Sequence, residues 1–510
     1  RKRLLSRPEA FGRSTMDREI MLMEKQIRKL KKIKKIGLFS MSLLMGLISI
    51  SQNTFFQSYG GNLNDYGEEI IETVDNGFIA VGATESFGNG LTDMYLIKLD
   101  SNGIVQWHKT FGGPNIDYGK DIVQTSDSGF IACGYSNSQN LDYDIFVVKI
   151  NKNGDLDWSK NYGGDNWDFG NKIINSKIDS NHFYIVGQTY SFGNHNGDGF
   201  VLKINTLGDS LMMNTYGGNQ EDQFEDIAQH SNGNLYCIGA NNSIDQNTRL
   251  WITAIDMNGD TLWNYFSDSL SSKGKSVTLI NNEIIFCGSK TPIQPTNIIP
   301  KTYYLVGGLD SNGMELFYAN YNYYCYNEES CVEVIKKPLS NNYYLLSNIH
   351  YNNQNRIYSS EMNYQWIHSG SSEINGNEND IAKGLDNLKN NNGNIIIGNT
   401  YETNNGYTDI FISKTYNGIW DSIYNNNLLL TNKNFNSKKL KIYPNPTKNF
   451  IFIEGVETGC ELFIYNSYGK MVDAIIYNNS EINMETLKNG VYWLNIKNEF
   501  ENIFIKIIKL

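Results

Sequence analysis

Short apolar runs rich in β-branched and aromatic residues, broken by Gly, Asn and Asp, recur along most of the chain. Runs of this length between turn residues predict strands rather than helices. They are organised at a long period. The first unit reads Tyr59-Gly60-Gly61, Asp65-Tyr66-Gly67, Gly77-Phe78-Ile79-Ala80-Val81-Gly82, Asp93-Met94-Tyr95-Leu96-Ile97-Lys98-Leu99-Asp100, Asn102-Gly103 and Trp107. The second repeats it as Phe111-Gly112-Gly113, Asp117-Tyr118-Gly119, Gly129-Phe130-Ile131-Ala132-Cys133-Gly134, Asp144-Ile145-Phe146-Val147-Val148-Lys149-Ile150-Asn151, Asn153-Gly154 and Trp158. A column of bulky residues, Trp107, Trp158, Met212, Trp263, Phe317, Trp366 and Trp420, advances in steps of 51, 54, 51, 54, 49 and 54, which makes seven units. A glycine column agrees through Gly82, Gly134, Gly187, Gly239, Gly288, Ser347 and Gly398, with only the sixth unit departing.

Each unit holds four short strand-like runs. Turns such as Asn102-Gly103, Asn153-Gly154, Asn258-Gly259 and Asn312-Gly313 supply the positive φ that a tight hairpin needs. Four antiparallel strands per unit make a propeller blade, and the bulky residue after the hairpin glycine is expected to pack between neighbouring blades. Phe55 to Gly61 copies the outer-strand ending Trp107 to Gly113, so an outer strand precedes the first unit and can complete the last one. The alternative is an open β-solenoid of the same units. After Trp420 the repeat stops, an Asn- and Lys-containing stretch reads as a linker, and about six further alternating strands follow. The expectation is an all-β chain: residues 1–51 an N-terminal extension and signal peptide, 52–426 a seven-bladed β-propeller, 427–439 a linker, and 440–510 a small Ig-like antiparallel β-sandwich.

The signal peptide is read from Lys29, Lys31, Lys32, Lys34 and Lys35 ahead of an apolar run from Ile36 to Ile50, with Ser49 and Ser51 placed for cleavage before Gln52. The run is short for a membrane span, so the mature chain is expected to carry none. Charge sharpens this division. The first 51 residues hold 13 Lys+Arg against 4 Asp+Glu, so of a formal net charge of −11 the rest carries −20. So acidic a body argues against a nucleic-acid partner.

Both loop sets on one propeller face carry acids: Asp65, Asp117, Asp168 and Asp222 lead the inner strands, and Asp93, Asp144, Asp198 and Asp409 lead the third strands. An acidic ring can bind Ca²⁺ or a cationic ligand through oxygen, while aspartates in Gly-rich turns also recur simply to accept backbone N–H bonds. Asp-x-Asn-Gly strings such as Asp100 to Gly103 lack the later carboxylates of a calcium loop and read as hairpins. Six histidines form no metal-ligand pair, no nucleophile elbow occurs, and no catalytic or metal residue is assigned. Tyrosines such as Tyr321, Tyr323, Tyr324 and Tyr326 permit stacking on sugar rings, or plain packing. Of six cysteines, Cys133, Cys237 and Cys287 sit in core strands and read as buried thiols, while Cys325 and Cys331 flank a loop as a disulfide candidate.

The units resemble the β-propeller repeats of bacterial surface and secreted proteins, a likeness that speaks to fold and leaves function open. Thr73 to Phe78 looks like the Asp-box of sialidases, itself a turn motif, and Asp100 to Trp107 is similar to the tryptophan-docking pattern of quinone-dependent dehydrogenase propellers, which implies blade packing and no quinone. The C-terminal segment closely resembles the type A sorting domain of type IX secretion: Tyr443-Pro444-Asn445-Pro446, the Gly469-Lys470 hairpin, Gly490 and Tyr492 within Leu-x-x-Gly-x-Tyr, and a last strand with Lys506 and Lys509. That resemblance implies recognition by the type IX machinery at the outer membrane and delivery to the cell surface or beyond. The expected function is non-enzymatic binding or adhesion to an extracellular glycan or protein. The alternative is a secreted hydrolase or lyase that acts on polysaccharide or peptide through the acidic face.

Overall fold

The computed structural model describes residues 54–415 and 441–509, apart from 140–141, 245–246, 270, 292–301, 322–327, 352–353, 363–367, 375–379, 390–392, 402–406, 444–446, 455–460, 467–470, 477–481 and 498–501. The signal peptide and linker expectations therefore lie outside the described residues. Seven four-stranded sheets follow one another along the chain. Six are built from consecutive strands, within residues 65–111, 117–162, 168–216, 222–266, 272–321 and 328–374. The seventh takes Ile381–Asn387, Asn394–Tyr401 and Thr408–Lys414, and Phe55–Tyr59 from the start of the chain adds its outer strand. This is the seven-bladed β-propeller, closed as the copied outer-strand motif predicts. No long sheet edge is left at the seam.

The first strand of each blade touches the first strand of the next, and the last of these, Ile381–Asn387, returns to Asp65–Glu72, so the inner strands surround a central channel. In blade 1 the inner strand alternates buried and half-buried residues, while Phe78–Thr84 and Asp93–Leu99 are buried throughout and Val105–Phe111 is largely accessible. The two middle strands are covered on both faces by neighbouring blades, which is why their sequences are nearly unbroken apolar runs. The core is accordingly shared between blades: Ile79, Val81 and Leu96 of blade 1 pack with Ile122, Phe130 and Phe146 of blade 2.

The glycine column has a steric cause. Each inner strand of blades 1 to 5 carries a β-bulge just after the residue that pairs with the column glycine: Gly67 with Gly82, Gly119 with Gly134, Gly170 with Gly187, Phe224 with Gly239 and Gly274 with Gly288. The bulge drives the inner-strand carbonyl of Tyr66, Tyr118, Phe169, Gln223 or Lys273 so close that a Cβ on the column residue would overlap it.

The bulky column joins the blades. The hairpin glycines Gly154, Gly208, Gly259 and Gly313, with φ of 83°, 74°, 90° and 81°, lie against Trp107, Trp158, Met212 and Trp263 of the preceding blade. Trp158 and Trp263 also donate their indole N–H to the carbonyls of Thr206 (3.1 Å) and Ser311 (3.2 Å) in those hairpins. Tyr162 and Tyr216 donate their hydroxyls to the hairpin carbonyls of Gly208 (2.5 Å) and Gly259 (2.8 Å). Tyr59 of the closing strand does the same to Gly103 (2.7 Å), so the seam uses the latch of an ordinary blade boundary.

In the C-terminal segment, Lys441–Tyr443, Phe450–Glu454 and Ile482–Asn483 form one sheet, and Glu461–Asn466, Met471–Ile476, Gly490–Lys497 and Asn502–Lys509 form a second. Ile451, Ile453 and Ile482 of the first share a buried cluster with Leu462, Ile464, Tyr492, Leu494 and Ile507 of the second. Among the described residues no helix is long and apolar enough to cross a membrane.

Candidate functional site

Asp65, Asp117, Asp168 and Asp222 open the inner strands of blades 1 to 4, and all four are buried. Each accepts the N–H of the second glycine in the preceding aromatic-Gly-Gly turn: Gly61 (2.6 Å), Gly113 (2.7 Å), Gly164 (3.0 Å) and Gly218 (2.7 Å). Each also accepts a hydroxyl from just beyond the second strand: Ser86 (2.8 Å), Ser138 (2.6 Å), Ser191 (2.6 Å) and Ser243 (2.7 Å). The second aspartate set meets the first in pairs. Asp144 stands with Asp168 around Gly163, Asp198 with Asp222 around Gly217, and Asp409 with Asp65 around Gly60. Burial holds the carboxyls of Asp93 and Asp198 above the usual range, against the backbone amides of Gly90 and Asn194 and with the charge of Asp117 or Asp222 adding to it. The inner-strand aspartates thus brace the turns at the blade boundaries. Among the described residues no group of three or more His, Cys, Asp or Glu is placed to hold a metal ion.

The channel holds a second charged ring, which the sequence reading did not single out. Directly after each bulge stand Glu69, Asp121, Lys172, Asp226, Ser276 and Glu333, and Gly384 fills the same place in blade 7. Lys172 lies 2.5 Å from Glu69 of blade 1, 3.7 Å from Asp121 of blade 2 and 3.5 Å from Glu333 of blade 6, so one ammonium spans the channel. The acids have a second task. Asp121 accepts the amide of Ile173 (2.7 Å), Asp226 that of Val277 (2.8 Å) and Glu333 that of Leu385 (2.6 Å), each on the next blade. Burial pushes Asp121 up to about 7 and Glu333 well above the carboxylate range. Against its own desolvation, Lys172 is raised by Asp121, Glu69 and Glu333. A neighbouring row pairs Glu68 with Lys120 (2.9 Å) and Glu225 with Lys275 (2.7 Å). The signal for this ring was present in DYGEE, DYGKD, DFGNK and DQFED, whose last position is charged.

On the face that carries the aspartate pairs, aromatic rings form a chain across blades 1 to 3. Tyr66 meets Tyr118 at 6.2 Å, and Tyr118 stacks on Tyr135 at 5.3 Å and 4°. Tyr135 then meets Tyr143 (5.5 Å) and Phe169 (5.2 Å) edge to face. The chain ends at Trp167, which stands across Tyr143, Phe169 and Tyr190 at 6.2, 6.4 and 6.5 Å and at 80°, 71° and 77°. Trp167 is 55% exposed, and the Tyr190 hydroxyl donates to exposed Glu221 (3.0 Å). A separate cleft of about 440 Å³ opens between blades 3 and 4, lined by Thr215, Asn241, Ser243, Trp251 and Asn264 among others.

Two expectations about sulfur are corrected. Cys331 is bonded to Cys287, across 44 residues and with Cα atoms 6.1 Å apart, so it is not paired with Cys325 and Cys287 is not a free thiol. Cys325 itself lies outside the described residues. The cause is the register between blades: Cys331 occupies the position of Gly67, Gly119 and Gly274, which face Ile397, Val81 and Ile238 of the preceding blade, and Cys287 is the equivalent of those aliphatic residues. Cys133 and Cys237 are free and buried, as read. The tyrosines Tyr323, Tyr324 and Tyr326 also lie outside the described residues.

Of the sorting motif, Pro444, Asn445, Pro446, Gly469 and Lys470 lie outside the described residues. Tyr443, Gly490 and Lys506 fall in strands. The Tyr492 hydroxyl donates to Lys488 O (2.7 Å), tying down the turn before its strand. Lys509 donates to Lys448 O and the Thr447 amide to Ile508 O (2.8 Å), which fastens the residues after the Tyr-Pro-Asn-Pro run to the last strand.

Residues 441–510 match the family described as the secretion system C-terminal sorting domain. The chain is therefore a seven-bladed β-propeller protein with a C-terminal type IX sorting domain. That domain directs it through the type IX machinery to the cell surface or the extracellular space. A comparison with curated proteins finds no match. Similar solved structures include Sqt1 from Chaetomium thermophilum, at 11% identity over 68% of this chain and 82% of that one, TM-score 0.42. PorZ, an essential bacterial surface component of the type-IX secretion system of Porphyromonas gingivalis, gives 11% identity over 89% and 70%, TM-score 0.33. An α-L-arabinofuranosidase from Fusarium graminearum gives 10% over 71% and 97%, TM-score 0.39. None of the three carries a function across to this chain.

Proposed function

We propose that the exported chain is a non-enzymatic binding module that serves adhesion, with the seven-bladed ring as a rigid platform for ligand-facing loops. The observation that carries this reading is the sorting domain at residues 441–510, fused to a propeller whose conspicuous acids accept bonds from its own turns and strands. In this reading residues 36–50 are the core of a cleaved signal peptide and 427–439 form a linker at which the sorted domain is removed. Residues 440–510 close as a small Ig-like sandwich around the cluster of Ile451, Leu462, Ile464 and Tyr492. The eight aspartates hold the loops and leave recognition to other side chains.

Deletion of residues 441–510 is expected to strand the propeller in the periplasm, measured by cell fractionation and surface labelling. Unchanged surface display overturns the sorting assignment. The purified chain is expected to bind on an array of glycans and matrix proteins without turning over polysaccharide or peptide substrates, and turnover overturns the non-enzymatic reading.

A further inference from the structure

The seven blades supply an internal control for function, because a residue that the repeat demands recurs and one that it does not demand is free to be chosen. Three equivalent positions on the loop face share one set of backbone bonds, whatever side chain they carry. Just before the inner strand stand Asn64, Ile116 and Trp167, whose carbonyls accept the amides of Glu85 (2.8 Å), Asn137 (3.0 Å) and Tyr190 (2.8 Å), the residues just after the second strand. Just before the third strand stand Thr92, Tyr143 and Gly197, whose carbonyls accept the amides of Asp117 (2.8 Å), Asp168 (2.6 Å) and Asp222 (2.7 Å). The same frame therefore carries Thr92, Ile116 and Asn137 at the boundary of blades 1 and 2 but Tyr143, Trp167 and Tyr190 at the boundary of blades 2 and 3. Folding does not require aromatics here, and all three converge on one spot.

The spot has the chemistry of a sugar platform. Trp167 stands on edge to its three aromatic neighbours and is more than half exposed, an indole surface that packing leaves in water. Beside it in the chain Asn166 and Asp165 are exposed, and its ring neighbour Tyr190 donates to the exposed carboxylate of Glu221 (3.0 Å), which also accepts from Gln188 (3.4 Å). A pyranose ring presents an apolar C–H face to an aromatic ring and hydroxyls at its edge to amides and carboxylates. Glu221 and the neighbouring Asp165 disfavour anionic sugars. We propose that Trp167, with Tyr143 and Tyr190, forms a binding site for neutral hexopyranose chains at the boundary of blades 2 and 3. This rests on the reading of the propeller as a binding module and gives it a ligand class and an address.

The test uses the full chain and soluble gluco-, manno- and N-acetylglucosamine oligosaccharides, with polygalacturonate as the anionic comparison, read by calorimetry and tryptophan fluorescence. A neutral oligosaccharide is expected to bind and to perturb the fluorescence. Trp167→Asn, which installs the blade 1 residue, is expected to weaken binding at least tenfold with an unchanged melting temperature, and Trp167→Phe to retain part of the affinity. Wild-type affinity in Trp167→Asn, or preference for polygalacturonate, overturns the site and leaves the binding reading standing. Array binding to proteins but to no glycan does the same, whereas absence of any ligand on the array removes both.

Discussion

The channel ring and the loop face use the same repeat in opposite ways. Around the channel the side chain carries the structure: the inner strand is the edge of its sheet, and Asp121, Asp226 and Glu333 each reach across to accept one of its amides on the next blade. On the loop face a backbone bond is what recurs, since Trp167, Ile116 and Asn64 make one carbonyl bond with three unrelated side chains. The lesson is that an acid in a propeller is not thereby a functional group. The variable residue on an invariant backbone frame is the better guide to recognition.

The comparison breaks most visibly at Lys172. Lys172→Met removes the one ammonium shared by Glu69, Asp121 and Glu333 and leaves three buried carboxyl groups without their cation inside the ring. Removing one partner from a buried ionic group typically costs about 3–5 kcal/mol. Chemical denaturation at pH 7 is expected to show a loss of this order, and a shift under about 1 kcal/mol would show that water already serves these carboxylates. Trp167→Asn on the other face is expected to leave the same transition in place, so the two variants separate the two uses of the repeat.

The disulfide tests the next largest effect and also marks how far the sequence could be read. The repeat period, the blade count and the closing strand are properties of pattern, and Trp158 and Trp263 pack against the next blade as the pattern implied. The pairing of Cys287 with Cys331 depends on which side chains face each other across a blade boundary, and spacing along the chain is blind to that. The channel ring escaped notice for the same reason, since Glu69 and Glu333 become neighbours of Lys172 only when the ring closes. The loop aspartates were visible, whereas their pairing around Gly60, Gly163 and Gly217 was not. Blades 1 and 2 put Val81 and Gly119 in the place that Cys287 and Cys331 hold between blades 5 and 6. Cys287→Val with Cys331→Gly should therefore fold but lose about 2–4 kcal/mol of cross-link stabilisation. Reductant is expected to lower the melting temperature of the parent chain and not that of the double variant; equal sensitivity of the two would contradict the assignment.

The smallest effect separates the two regions by pH. Burial raises Asp121 to about 7 and Asp386 to about 6, and Glu333 also lies well above the carboxylate range, with Glu69 adding to all three. In the unfolded chain these groups titrate near pH 4. Between about pH 4 and 7 the folded ring therefore holds more protons than the unfolded chain, and raising the pH through that window removes stability. Glu68 opposes this from below. Despite desolvation, Lys120 and Lys383 hold it down to about 2, so its contribution is present above pH 4.5 and is lost as the pH falls toward 2. The two slopes place maximum stability near pH 4–5, with a decline toward pH 7 on the order of 1–2 kcal/mol, because Asp121 and Glu333 share Lys172 and titrate as a group. Melting temperatures from pH 3 to 8 measure the curve. Asp386→Asn is expected to flatten its upper limb, since an amide oxygen still accepts the Glu72 amide that Asp386 holds at 3.0 Å, while Glu221→Gln on the loop face is expected to leave the curve unchanged. A stability that rises steadily from pH 4 to 7 would mean that the channel carboxylates stay ionised in the folded ring and that the ring is held by charge alone.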